Sequence, residues 1–169
     1  MLPCSFNDNL LCTDNDLDLM YQTGDLVTGV ATSVSTDIFD FHDDDIINST
    51  DISVWLSIAA TENGSITPYL RGDTELDRDI DITDFNALAR NFDPTGDGDS
   101  QNGPFWSEGN FDGDDDIDIT DFNILATNFS PVSYGTSAVP EPCSLLLMML
   151  AGLCFIVRPT VSMFRAWSM

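Results

Sequence analysis

The sequence predicts a mainly α protein: loop–helix repeats packed in pairs, then a flexible linker, then a hydrophobic helix at the C-terminus. Three observations carry that expectation. One pattern recurs four times at intervals of 33 to 37 residues. Each recurrence joins acidic residues spaced by two to apolar residues spaced by three and four. A turn-rich stretch then leads to an uncharged apolar run near the end.

The repeat is plainest when GDTELDRDIDITDFNALARNF, from Gly72, is laid over GNFDGDDDIDITDFNILATNF, from Gly109. DIDITDFN is identical in both. A further copy, DFHDDDIINSTDISVWLSIA, starts at Asp40, and a worn one, SFNDNLLCTDNDLDLMYQTG, starts at Ser5. Self-similarity at such a period marks stacked units that cannot bury their apolar faces alone. Counting each loop from Ser5, Asp40, Asp73 and Asn110, a dodecamer precedes one short helix. Positions 13, 16 and 20 are then Leu17, Met20 and Gly24; Ile52, Trp55 and Ala59; Phe85, Leu88 and Phe92; Phe122, Leu125 and Phe129. Spacings of three and seven place them on one helical face. We read that face as core.

One stripe on so short a helix needs a partner, so the copies are expected in two pairs, residues 1–68 and 69–130. ATENGSITPY and DPTGDGDSQNGP have the Gly, Pro, Asn and Asp content of loops. Residues 131–138, within SPVSYGTSAVPEP, read as a flexible linker, and residues 139–169 as a tail.

Charge narrows the function. Twenty-nine acidic residues stand against five arginines, for a net charge of −24. Nucleic acid is excluded as a partner, because phosphate contacts need Lys and Arg. Such self-repulsion opposes compaction, yet 43% apolar content with 11 Phe argues against a disordered acidic chain. Something must neutralise the acid, and a metal cation is the simplest candidate.

The dodecamers supply the ligands. A hard cation such as Ca²⁺ takes six to eight oxygens at about 2.3–2.6 Å, from loop positions 1, 3, 5, 7, 9 and 12, with position 7 giving its backbone carbonyl. These are Asp73, Glu75, Asp77, Asp79, Asp81 and Asp84 in one loop, and Asn110, Asp112, Asp114, Asp116, Asp118 and Asp121 in the next. The loop from Asp40 offers Asp40, Asp44, the Ile46 carbonyl, Asn48 and Asp51; His42, at position 3, is a poor calcium ligand and is expected to point outward. The first loop offers only Ser5, Asn7, Asn9 and Asp16 and is degenerate. Two carboxylates 4 Å apart cost about 4 kcal/mol at an effective dielectric near 20. An empty loop should therefore spread, and binding energy becomes folding energy. Ile80 and Ile117 fall at position 8, where paired loops commonly form a small β-bridge.

With these residues in view, the sequence resembles dockerin type I repeats: an EF-hand-like acidic loop, a hydrophobic position 8, Asp at position 12 and a single helix. The likeness covers residues 40–129 well and 5–24 poorly, and GNFDGDDDIDITDFN is similar to repeats in secreted proteins of planctomycete-type bacteria. It implies calcium as cofactor and a cohesin-like or other cell-surface protein as partner. Position 6, where the family has Gly for a sharp turn, is Arg78 in one loop and Asp115 in another. Either residue would strain a backbone of positive φ.

Pro140, Glu141 and Pro142 precede CSLLLMMLAGLCFIV and then Arg158. Fifteen residues at 1.5 Å each span about 22 Å, short of a hydrocarbon core of about 30 Å. The segment resembles the PEP-CTERM signal, which implies an exported protein handled by an exosortase-type enzyme. A plain C-terminal membrane anchor is the alternative. Arg158 and Arg165 would stay inside, leaving the repeats at the cell envelope or surface. The N-terminus has no basic stretch followed by an apolar one, so the chain is expected to be the C-terminal part of a longer secreted protein, or to start too late. Among the four cysteines, Cys4 and Cys12 could form a disulfide in an exported chain.

The function expected from all this is a calcium-binding, non-catalytic module at the end of an exported cell-surface protein. The alternative is an accessory module of a secreted polysaccharide-degrading enzyme whose catalytic domain lies elsewhere. The chain itself is not expected to be an enzyme. Its carboxylates have metal-ligand spacing, and its one histidine, His42, falls inside an acidic loop, so no Ser/His/Asp or Cys/His set is recognisable.

Overall fold

In a computed structural model the described residues are 2–7, 9–24, 36–96, 104–114 and 116–135. They are mainly helical: α1 (Asp14–Gly24), α2 (Ser49–Glu62), α3 (Ile82–Asn91) and α4 (Ile119–Asn128), with 3-10 turns at Asp37–Phe39 and Trp106–Glu108. No strand occurs among the described residues; isolated bridges join Ile80 to Ser130 and Asp93 to Ile117. Residues 1–135 make one compact unit. Residues 136–169, with the expected sorting motif Pro140, Glu141 and Pro142, the apolar run and Arg158, lie outside the described residues. Among those described, no helix is long and apolar enough to cross a membrane.

Helix starts follow from the dodecamers. Position 9 is the N-cap: the side chains of Asn48, Asp81 and Asp118 accept from the N–H of Thr50, Thr83 and Thr120. Position 12, three residues on, accepts from the N-cap N–H and completes a capping box. Two of the orphan donors of a helix N-terminus are thereby satisfied.

Repeats one and two are joined by the Trp55 indole N–H, which donates to the Cys4 carbonyl, and by the Asn63 amide, which donates to the Cys12 carbonyl. Cys4 and Cys12 form a disulfide with Cα atoms 5.4 Å apart. In repeats three and four, α3 and α4 run antiparallel, because Ile80 bridges Ser130 and Ile117 bridges Asp93. This corrects the expectation that the two isoleucines sit in one bridge. Each loop abuts the end of the other repeat's helix, so each Ile pairs with the residue following that helix.

Further contacts tie the two pairs together. The Tyr21 hydroxyl donates to the Asn110 carbonyl, and Asp18 accepts from the N–H and hydroxyl of Ser107. Arg71 donates to the carbonyls of Phe111 and Ser49 and to the Ser53 hydroxyl. Gly109, at φ +109°, lies where an added Cβ would meet the Leu88 Cα at 2.7 Å. Only glycine fits that approach.

The apolar stripe divides between the pairs. Leu17, Met20, Ile52, Trp55 and Ala59 are all fully buried. In the C-terminal pair only Leu88 and Leu125, at position 16, are buried, while Phe85, Phe92 and Phe129 are exposed. Two ten-residue helices cross over too short a length to cover positions 13 and 20 as well. Phe85 and Phe122 meet edge to face at 6.4 Å.

Residues 131–135, read as the start of a linker, instead pack onto the third loop. Tyr134 is buried, its N–H donates to the Arg78 carbonyl, and its hydroxyl donates to Asp73 at 2.5 Å.

Candidate metal centre

One frame recurs in all four loops, set by the carboxylate at position 12. Asp16, Asp51, Asp84 and Asp121 are buried. Each places one oxygen on the N–H of position 2 (Phe6, Phe41, Thr74, Phe111) and the other on the N–H of position 9 (Thr13, Asn48, Asp81, Asp118). The loop closes on that side chain. Position 1 organises the opposite half: Asp40 accepts from the N–H of Asp44 and Asp45, and Asp73 from Asp77 and Arg78. Asn110 accepts from the Gly113 N–H and donates to the Asp114 carbonyl. Position 5 turns the chain again, with Asp44, Asp77 and Asp114 accepting from the N–H two residues on.

These bonds hold strained backbone. Leu10, Asp45 and Arg78, at position 6, have φ of +63°, +64° and +78°. Non-glycine residues there cost about 1–3 kcal/mol each. The left-handed turn expected at position 6 is thus present despite the missing glycine. Arg78 is held by its guanidinium, which lies 4.7 Å from the Tyr69 ring centre and 5.5 Å from that of Tyr134. It also donates to the Thr67 carbonyl. Asp115 lies outside the described residues.

Three groups bring ligand atoms within 4.8 Å of one another: Asp40, His42 and Asp44; Asp79, Asp81 and Asp84; Asp116, Asp118 and Asp121. Such groups could hold a metal ion. The side chains of Asp79 and Asp116 join them, although position 7 was expected to contribute only its carbonyl. Oδ1 of Asp116 is buried with no hydrogen-bond partner. Asp77 and Asp114 sit beside these groups in the loops, and Glu75 lies near the charges of Asp84 and Asp77. Asp73 and Asn110, fully buried, spend their oxygens on backbone N–H groups and, for Asp73, also on the Tyr134 hydroxyl. Ile46 is exposed and donates its N–H to Asp44; Asn48 serves as a cap.

His42 departs from expectation. Its ring turns into the loop, with Nε2 2.8 Å from Asp44 Oδ2 and Nδ1 2.9 Å from Asp51 Oδ1. A lone imidazole among carboxylates is drawn inward by their charge, and the hydrogen bond to Asp51 raises its pKa. Sequence reasoning also missed Tyr134, Arg71 and Asp18, which act across repeats.

Crowding shows in the carboxyl groups. Burial pushes Asp73 up to about 7, and burial followed by the charges of Asp121 and Asp114 pushes Asp112 to about 6. Burial also raises Asp121, and Asp116 moves up for the same reason, with the charges of Asp114 and Asp118 adding to it. A carboxyl whose folded pKa exceeds its unfolded value of about 3.9 keeps its proton longer in the folded state. Between those values the folded protein binds more protons, and stability falls as pH rises. Metal-free protein should accordingly melt at a higher temperature near pH 5 than near pH 7.5. Thermal melts in excess chelator test this; a higher melting point at neutral pH would contradict it.

Compared with protein-family models, curated proteins and solved structures, the chain matches none.

Proposed function

We propose that this chain is a calcium-binding, non-catalytic module of the dockerin kind, lying toward the C-terminal end of an exported cell-surface protein. The observation that carries the reading is Asp116 Oδ1, a buried carboxylate oxygen with no partner inside a group of three carboxylates. Asp116 is half-buried, but an oxygen shielded from water with nothing to bond is unfavourable, and a dication among Asp116, Asp118 and Asp121 is the partner it lacks. In the fourth loop Asn110, Asp112, Asp114, Asp116, Asp118 and Asp121 would hold the ion. In the third, Asp73, Glu75, Asp77, Asp79, Asp81 and Asp84 would do so. All-oxygen donors favour hard cations over softer transition metals. Bound there, the ion would neutralise the loop charge and lock α3 and α4 in place.

The Cys4–Cys12 disulfide suits an oxidising, extracytoplasmic setting, as does the sequence of the PEP-CTERM-like tail. That tail would tether the module to the membrane and pass it to an exosortase-type enzyme. A cohesin-like or other surface protein is the partner we would seek. Calorimetric titration of the chain with Ca²⁺, repeated with Mg²⁺, tests the metal. Calcium should release heat and add helix by circular dichroism. Magnesium should bind more weakly, since it demands octahedral geometry and sheds water reluctantly. No heat, together with an unchanged spectrum in excess chelator, would refute the reading.

A further inference from the structure

We infer that the second loop is closed by its own histidine and takes no calcium, so that His42 sets how many ions the protein binds. The inference rests on the calcium reading of the third and fourth loops and concerns the one loop whose position 3 is a histidine. Glu75 and Asp112 hold that position in the third and fourth loops.

The His42 ring contacts Asp44 Oδ2 at 2.8 Å and Asp51 Oδ1 at 2.9 Å, and lies 3.9 Å from Asp40 Oδ1. Those are positions 5, 12 and 1, the carboxylates that a cation in this loop would have to draw together. The ring stands between them. It is only 25% exposed, so the space is filled. The rest of the frame is complete: Asp40 and Asp51 accept from backbone N–H groups, and Asn48 caps α2. The fourth loop has an orphaned carboxylate oxygen and, among the described residues, the second and third loops have none, so what sets the second loop apart from the third is its ring. An entering Ca²⁺ would have to break both ring contacts and would then face nitrogen, which a hard cation disfavours.

The partner repeat points the same way. The Cys4–Cys12 disulfide ties the residue before its loop to position 8, and Trp55 of α2 and its C-cap Asn63 bind the carbonyls of those two cysteines. The N-terminal pair is thus fastened by a covalent bond and an imidazole, where the C-terminal pair depends on an ion.

The test counts calcium ions per full-length chain by calorimetry in the wild type, His42→Asp and His42→Asn. Each variant puts an oxygen donor at position 3, and the asparagine adds no charge that could itself hinder folding. At least one variant should bind one ion more than the wild type, three against two if the third and fourth loops both fill. In excess chelator, hydrogen exchange should leave the amides of α2 protected while those of α3 and α4 exchange freely. A wild type that already binds three ions overturns the inference. So does the absence of a gain in both variants, or an α2 that exchanges as fast as α4. Tight Zn²⁺ binding that disappears in His42→Asp would overturn it as well, since the ring would then be a ligand. A wild type that binds no calcium refutes the calcium reading, and the difference between variant and wild type still decides the role of His42.

Discussion

Replacing Asp77 and Asp114 together by alanine should abolish the helix that calcium adds to the parent protein. Both side chains sit at position 5, their charges acting on Asp79 and Asp116, and both also accept the N–H of position 7. Removing them takes a ligand from each loop and loosens the turn that carries Asp79 and Asp116. A tenfold loss of affinity per loop corresponds to about 1.4 kcal/mol, and we expect at least that. Circular dichroism during a calcium titration reads the outcome. A double variant that gains helix as the parent does would remove the third and fourth loops as the ion sites.

The most damaging single substitution should be Asp121→Ala, and it should destabilise the protein with or without metal. The Asp121 carboxylate accepts from the N–H of Phe111, Asp112 and Asp118 and is itself buried. Alanine leaves those donors without partners. An unsatisfied buried donor costs about 1–3 kcal/mol, so a loss of about 3 kcal/mol or more is expected from this site. Urea unfolding in excess chelator gives the number without any contribution from bound ions. A loss below about 1 kcal/mol would show that the frame around Asp121 does not hold the loop closed.

The parts of this molecule that could be read from sequence are those decided by local spacing. Asp84 and Asp121 lie three residues after Asp81 and Asp118, and that interval alone makes them N3 partners in a capping box, whatever surrounds them. Ile47, Ile80 and Ile117 are buried because position 8 turns inward in every copy. What escaped was set by distance along the chain. Ser130 and Asp93 carry no apolar signal, and only the antiparallel packing of α3 on α4 makes them the bridge partners of Ile80 and Ile117. Tyr134 reaches Asp73 from 61 residues away, and Ser107 reaches Asp18 from 89. Phe85, Phe92 and Phe129 misled for a different reason. Periodicity identifies a face but not how much of it a short partner helix covers. His42 was a missed local signal: a single imidazole inside a ring of carboxylates has little reason to face solvent.

The two buried indoles give this protein a natural optical readout. Trp55 is sealed against the Cys4 carbonyl and Trp106 against the carbonyl of Asp73, the first residue of the third loop. An indole shielded from water emits at shorter wavelength than a wetted one. Trp106 is therefore placed to redden when the third loop spreads, and Trp55 when the N-terminal pair comes apart, so emission reports loop opening without any attached dye, and replacing one indole by phenylalanine tells the two events apart.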